Sequence, residues 1–158
     1  MSRIWLLDGR SGSGKTVLAS TLAAELGGTV VHMDDLYPGW GGLAAGSTYA
    51  LERILAPLAR GEDAVWRRWD WAGGARAEEH RLPAGSAIVL EGCGALSAAS
   101  ARLAERSIWL ACDEATRRAR ALARDGVDDW WVGWRAQEDA FYARERSAEL
   151  ATEVRACA

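Results

Sequence analysis

The chain has 158 residues, with 19 Lys and Arg against 22 Asp and Glu and a formal net charge of −3. That length predicts a single domain over residues 1–158 with room for a sizeable core. The charge balance, without any Lys/Arg tract, argues against a nucleic-acid surface; no apolar run is long enough to span a membrane, and the chain enters its first strand directly, so no signal peptide is expected.

Ile4-Trp5-Leu6-Leu7 reads as a short buried strand ending at Asp8. A glycine-rich turn follows, then a helix from Val17 to Leu26 that stops at Gly27-Gly28. Thr29 to Met33 is a second strand, and Asp34 to Ser47 a loop rich in Gly and Pro. Thr48 to Arg60 predicts a helix, because Leu51, Ile54, Leu55 and Leu58 share one face. Val65–Trp71 and Ala77–Leu82 flank Ala72-Gly73-Gly74, which predicts a small hairpin excursion over about 65–82. Ala87-Ile88-Val89-Leu90 is a third strand ending at Glu91-Gly92, and a helix is expected from Ala98 to Arg106. Ser107 to Ala111 is a fourth strand, Asp113 caps a helix running to Asp125, and a last helix is expected from Asp129 to Leu150. The alternation predicts a three-layer α/β/α fold around a parallel sheet of four or five strands, the fifth depending on the tail from Leu150 to Val154.

Eighteen of the nineteen basic residues are arginines, and the one lysine, Lys15, lies in Gly9-Arg10-Ser11-Gly12-Ser13-Gly14-Lys15-Thr16. This stretch fits the phosphate-binding (Walker A) pattern GxxxxGK[ST], between a strand and a helix as that pattern requires. Arginine replaces lysine at most solvated positions, but not where a compact ammonium must reach nucleotide phosphates from a close-fitting loop. The glycines let backbone amides approach an anion, and the helix N-terminus adds positive partial charge. The Thr16 hydroxyl suits Mg²⁺.

Acids at the C-terminal ends of strands are the next candidates, because ligands of open α/β sheets bind at that edge. Asp8, Asp34, Asp35 and Glu91 are so placed, and a carboxylate near a phosphate loop can accept a hydroxyl proton or help hold Mg²⁺. Arg117, Arg120 and Arg124, at spacings of three and four, share a helix face that could neutralise phosphoryl charge. Cys93, Cys112 and Cys157 are odd in number and lack metal-ligand spacing, so free or buried thiols in a reducing cytoplasm are expected. His32 reads as a core residue. Of nine tryptophans, Trp66, Trp69 and Trp71 form one cluster and Trp130 and Trp131 another, with Trp134 close by.

The loop, Asp34-Asp35-Leu36-Tyr37, Trp69-Asp70-Trp71 with Arg76, Glu91-Gly92 and the segment Arg117 to Asp125 together resemble, in order, the uridine kinase and phosphoribulokinase-like family of P-loop kinases. The resemblance covers about residues 4–125. It implies ATP and Mg²⁺, and a small-molecule hydroxyl acceptor. It implies Asp34 as catalytic base, Glu91 with Thr16 around the metal, and an Arg-rich lid over about 113–131 carrying Arg117, Arg120 and Arg124. Tyr37, Trp69, Asp70 and Arg76 fall where that family meets its acceptor.

Two departures make uridine doubtful. Pyrimidine nucleoside kinases carry Tyr-Asp-Phe followed by a base-contacting His; here Trp69 and Trp71 flank the Asp and Gly74 stands in place of the His. The basic residues after the lid arginines are replaced by Val127-Asp128-Asp129-Trp130-Trp131. A gluconate-, shikimate- or antibiotic-type kinase, or an ATP-hydrolysing binding module without an acceptor, is the alternative. A GTPase switch is excluded by the absence of a second lysine for an Asn-Lys-x-Asp element.

Overall fold

The computed structural model describes residues 2–158. Five parallel strands form the sheet: β1 (Arg3–Asp8), β2 (Thr29–His32), β5 (Ala87–Glu91), β6 (Arg106–Ala111) and β7 (Glu153–Ala156). Their spatial order is β2-β5-β1-β6-β7. The strands at the sheet centre are largely apolar because both faces are covered, the buried exceptions being Ser107 and the strand-end acids Asp8 and Glu91. In β1, Ile4 and Leu6 enter one core; Trp5 and Leu7, pointing the other way by the two-residue period, enter a second. The second core is closed by helix α1 (Lys15–Leu26) through Ala19, Leu22, Ala23 and Leu26. The first, larger core is closed by α2 (Leu43–Ala50), a π-helical turn (Leu51–Leu55) leading into α3 (Ala56–Ala59), and α6 (Trp131–Glu145).

The hairpin is β3 (Ala64–Asp70) paired antiparallel with β4 (Ala75–Leu82), as a separate two-stranded sheet with a bulge between Arg67 and Trp69. Helix α4 spans only Ala98–Ala101, shorter than expected, closed by a capping box between Ser97 and Ser100. Helix α5 (Glu114–Asp125) starts at the Asp113 cap, whose carboxylate accepts from the amide of Thr116 at 2.8 Å, and ends at Gly126. The expected last helix is two: α6 stops where Arg146 turns left-handed, φ 56°, and α7 (Ser147–Leu150) leads into β7.

The tail is therefore a fifth strand, in register with β6 from Ile108↔Glu153 to Ala111↔Ala156. This register carries a correction. Cys112 and Cys157, one residue beyond the paired ends, are joined as a disulfide with Cα atoms 5.2 Å apart, so they are not free thiols. Cys93 alone is free, and it is buried.

Candidate functional site

The phosphate-binding loop leaves β1 at its C-terminal end and is fixed from three sides. Asp8, fully buried, accepts from the Gly9 amide at 2.7 Å, the Tyr142 hydroxyl at 2.6 Å and the amides of Gly94 and Leu96 at 3.2 and 2.9 Å. Burial pushes its carboxyl up to about 6, against the pull of the Tyr142 hydroxyl, the Leu96 and Gly9 amides and the Lys15 charge. Asp8 thus joins the loop after β5 to the start of the phosphate loop. Glu138 of α6, also buried, accepts from the Ser11 amide at 2.7 Å, while Arg10 pairs with Asp139 at 2.6 Å. From the third side comes α5. A Cβ on Gly12 (φ +83°) would lie 2.2 Å from the Arg117 carbonyl oxygen, so only glycine allows that approach.

The loop opens on a cavity of about 710 Å³. Ser11, Gly12, Gly14, Lys15 and Thr16 line its floor, whereas Gly9, Arg10 and Ser13 lie behind it. Helix α1 begins at Lys15 with a left-handed Gly14 and no side-chain cap, so its first-turn amides are free to meet an anion. The Lys15 ammonium donates to the Arg10 carbonyl at 3.0 Å and to Ser13 Oγ at 3.4 Å. Thr16 Oγ1 lies 3.3 Å from Glu91 Oε1, and the same oxygen is 2.6 Å from His32 Nδ1. The ion pair holds His32 above its usual value, and the imidazole is half-exposed rather than in the core. The Thr16 and Glu91 oxygens are hard donors suited to Mg²⁺. Among the described residues no group of three or more His, Cys, Asp or Glu forms a metal cage. A cation there would rely on phosphate oxygens and water for its remaining ligands, as Mg²⁺ characteristically does.

Across the floor stand Asp34 and Asp35, in a single 3₁₀ turn after β2. Asp34 is exposed where it opens to the cavity, with protein groups close around its carboxylate. Burial raises its pKa and Glu91 adds to the rise, while Lys15 and Arg124 draw it back. Arg120 and Arg124 line the opposite wall. Arg117, by contrast, is buried against the loop's outer side, donating to the carbonyls of Cys112 at 3.0 Å and Ser11 at 3.4 Å.

Of the expected acceptor residues, Asp34 and Tyr37 line the cavity. Trp69, Asp70 and Arg76 do not. Arg76 packs over the Tyr49 ring at 3.7 Å, and Asp70 accepts from the Ala72 amide in the hairpin turn. Their places are taken by Trp40, Trp71, Trp130 and Trp134. Trp71 swings from the hairpin tip to donate to the Asp34 carbonyl at 2.9 Å, and Trp40 lies 5.1 Å from it, centroid to centroid. Trp40 stood alone in a Gly-rich loop, and Glu138 in the middle of a long helix. Neither carried a periodic or motif signal, so only the tertiary fold reveals them.

No protein-family model and no curated protein sequence matches the chain. Solved structures do. A Bacillus stearothermophilus protein described as a possible uridine kinase superimposes with a TM-score of 0.68 at 18% identity, over 97% of this chain and 88% of that one. A gluconokinase from Sinorhizobium meliloti 1021 gives 0.60 at 16%, over 99% and 83%. A shikimate kinase from Bacteroides thetaiotaomicron gives 0.53 at 17%, over 98% and 86%. At such identities the likeness is one of fold: a three-layer α/β/α P-loop architecture of the kinase kind.

Proposed function

We propose that this chain is an ATP-dependent phosphotransferase that moves a γ-phosphoryl group to a hydroxyl of a small molecule. One observation carries the reading. The phosphate loop, the Thr16–Glu91 oxygen pair, the Asp34 carboxylate and two lid arginines all face a single cavity.

The amides at the start of α1 and the Lys15 ammonium hold the nucleotide's phosphates. Reaching them requires the ammonium to leave the Arg10 carbonyl. Thr16 and Glu91 would hold Mg²⁺, which when bound offsets phosphate charge. Asp34 orients the acceptor hydroxyl and takes its proton as the hydroxyl oxygen bonds to γ-phosphorus and the bond to the β,γ-bridging oxygen breaks. Arg120 and Arg124 neutralise charge on the transferring group.

The test is ADP release from Mg·ATP over a panel of nucleosides, sugars and small alcohols. Stimulation by one class of hydroxyl compound, lost in Lys15→Ala, is the expected result. Steady hydrolysis that no hydroxyl compound stimulates would instead indicate an ATPase without an acceptor.

A further inference from the structure

Resting on that reading, we infer that the acceptor is an organic cation bearing a hydroxyl, an amino alcohol or amino sugar, held by indole faces and an aspartate pair. The walls beyond the phosphate floor are built from Trp40, Trp71, Trp130 and Trp134 together with Asp34 and Asp35. Trp40 and Trp71 are 58% and 40% exposed, so two large indole surfaces face solvent where the cavity opens. Indole is the best aromatic partner for a cation, and a cation is attracted to its face at ring-centroid distances up to about 6 Å.

Charge separates the candidates further. Among the described residues the side chains of Asp34 and Asp35 have neither an ion pair nor a hydrogen-bond partner. Asp35 caps no helix and makes no direct contact with a cation, its charge reaching His32 and Arg68 only at longer range. If Asp34 takes the hydroxyl proton, Asp35 remains to face a positive group. The cations lining the cavity are Lys15, Arg120 and Arg124. The first two adjoin the phosphate loop, and Arg124 is paired with Asp125 through two bonds of 2.8 and 2.9 Å. With these three cations facing the phosphates, an acid such as gluconate or shikimate meets the two aspartates beyond them.

Uncharged acceptors fare poorly for a different reason. A nucleobase or carbonyl compound needs hydrogen-bond donors. The Tyr37 hydroxyl is committed to the Cys93 carbonyl at 2.7 Å and the Trp71 indole N–H to the Asp34 carbonyl, which leaves only the indole N–H groups of Trp40, Trp130 and Trp134 as donors on the aromatic walls, that of Trp130 being buried. Beyond those few N–H groups, what the walls offer is π surface and the negative charge of two aspartates, the complement of an ammonium group.

The test compares compounds of one shape and different charge. Choline and its uncharged isostere 3,3-dimethylbutan-1-ol form one pair, glucosamine and glucose a second; gluconate and shikimate are the anionic arm. Binding is followed by tryptophan fluorescence with and without an unreactive ATP analogue, and transfer by ADP release. The cation of a pair is expected to bind and to react with kcat/KM roughly tenfold or more above its neutral partner. Asp35→Asn should shrink the charged-to-neutral ratio by a similar factor. Equal use of charged and neutral partners, or preference for an acid, overturns the inference and leaves phosphotransfer standing. Cation-selective quenching without ADP release from any compound overturns phosphotransfer and leaves only a cation-binding cavity. An Asp35→Asn protein that keeps the full charge preference removes the aspartate from the inference.

Discussion

At the scale of single residues, the loop is where sequence and structure speak most directly. Lys15 was legible because the composition isolates it, and its ammonium touches only loop oxygens and no core side chain. Lys15→Ala should abolish transfer and weaken Mg·ATP binding without lowering Tm, and Lys15→Arg should also fail, since a planar fork does not fit a point-charge site. Full activity in either variant would remove the loop from the mechanism. Asp34 offers a sharper test through pH. Its pKa is raised, chiefly by burial, and a base works only when ionised. Activity should therefore fall on acidification with a limb lying above the ordinary aspartate range. Arg124 pulls that pKa down, so Arg124→Ala should move the limb to still higher pH. Asp34→Asn should lower kcat roughly 10²-fold or more with ATP affinity little changed, and should erase the limb. A limb at ordinary carboxylate pH, unmoved by Arg124→Ala, would contradict this assignment. Trp40 was not legible in this way. An isolated tryptophan between glycines acquires meaning only when Trp71 of the hairpin tip and Trp134 of α6 pack beside it.

Elements were legible where a periodic pattern met a stop signal, and not where tertiary contacts set the end. Helix α1 stops at Gly27 and α5 at Gly126, both left-handed glycines visible in the sequence. The break at Arg146 has no such marker. A non-glycine residue accepts a left-handed conformation there, while next to it the Ser147 hydroxyl donates to the Leu96 carbonyl at 2.6 Å and docks the turn. Likewise, the arginine stripe of α5 was visible as spacing, but its division of labour was not. The close approach of the α5 backbone to Gly12 turns Arg117 outward to brace the loop and leaves Arg120 and Arg124 for the cavity. That contact predicts the effect of the smallest possible change. In Gly12→Ala a methyl must occupy space 2.2 Å from a main-chain oxygen at a φ of +83°, so α5 has to withdraw. The cost should exceed about 1 kcal/mol of stability, and nucleotide binding should fall with it. A Gly12→Ala protein with native Tm and native ATP affinity would show that α5 and the loop are independent.

For the molecule as a whole, the sheet order follows from rules that a sequence obeys but does not display. Alternating strands and helices indicate a parallel sheet; which strands adjoin, and that β7 completes it at an edge beside β6, depends on how the tail folds back. The same folding back brings together two cysteines 45 residues apart, a pairing that spacing could not suggest. Its consequences reach the cavity. The amide of Cys157 donates to the Ala111 carbonyl at 2.8 Å, and beyond it the Ala158 carbonyl accepts from the guanidinium of Arg120, a cavity residue. The edge strand has only four residues, and its one large apolar side chain, Val154, is 58% exposed, so apolar burial contributes little to holding it. The covalent link should therefore matter more here than in the sheet centre. Closing a loop of this length contributes about 4 kcal/mol by restricting the unfolded chain, which for a domain of this size corresponds to a Tm lower by roughly 8–16 °C once the bond is lost. Cys157→Ser should show that loss, and dithiothreitol should reproduce it in the native chain while leaving Cys157→Ser unchanged. Identical Tm values for the native and Cys157→Ser proteins, with no response to reductant, would mean that β7 is held by its hydrogen bonds to β6 alone.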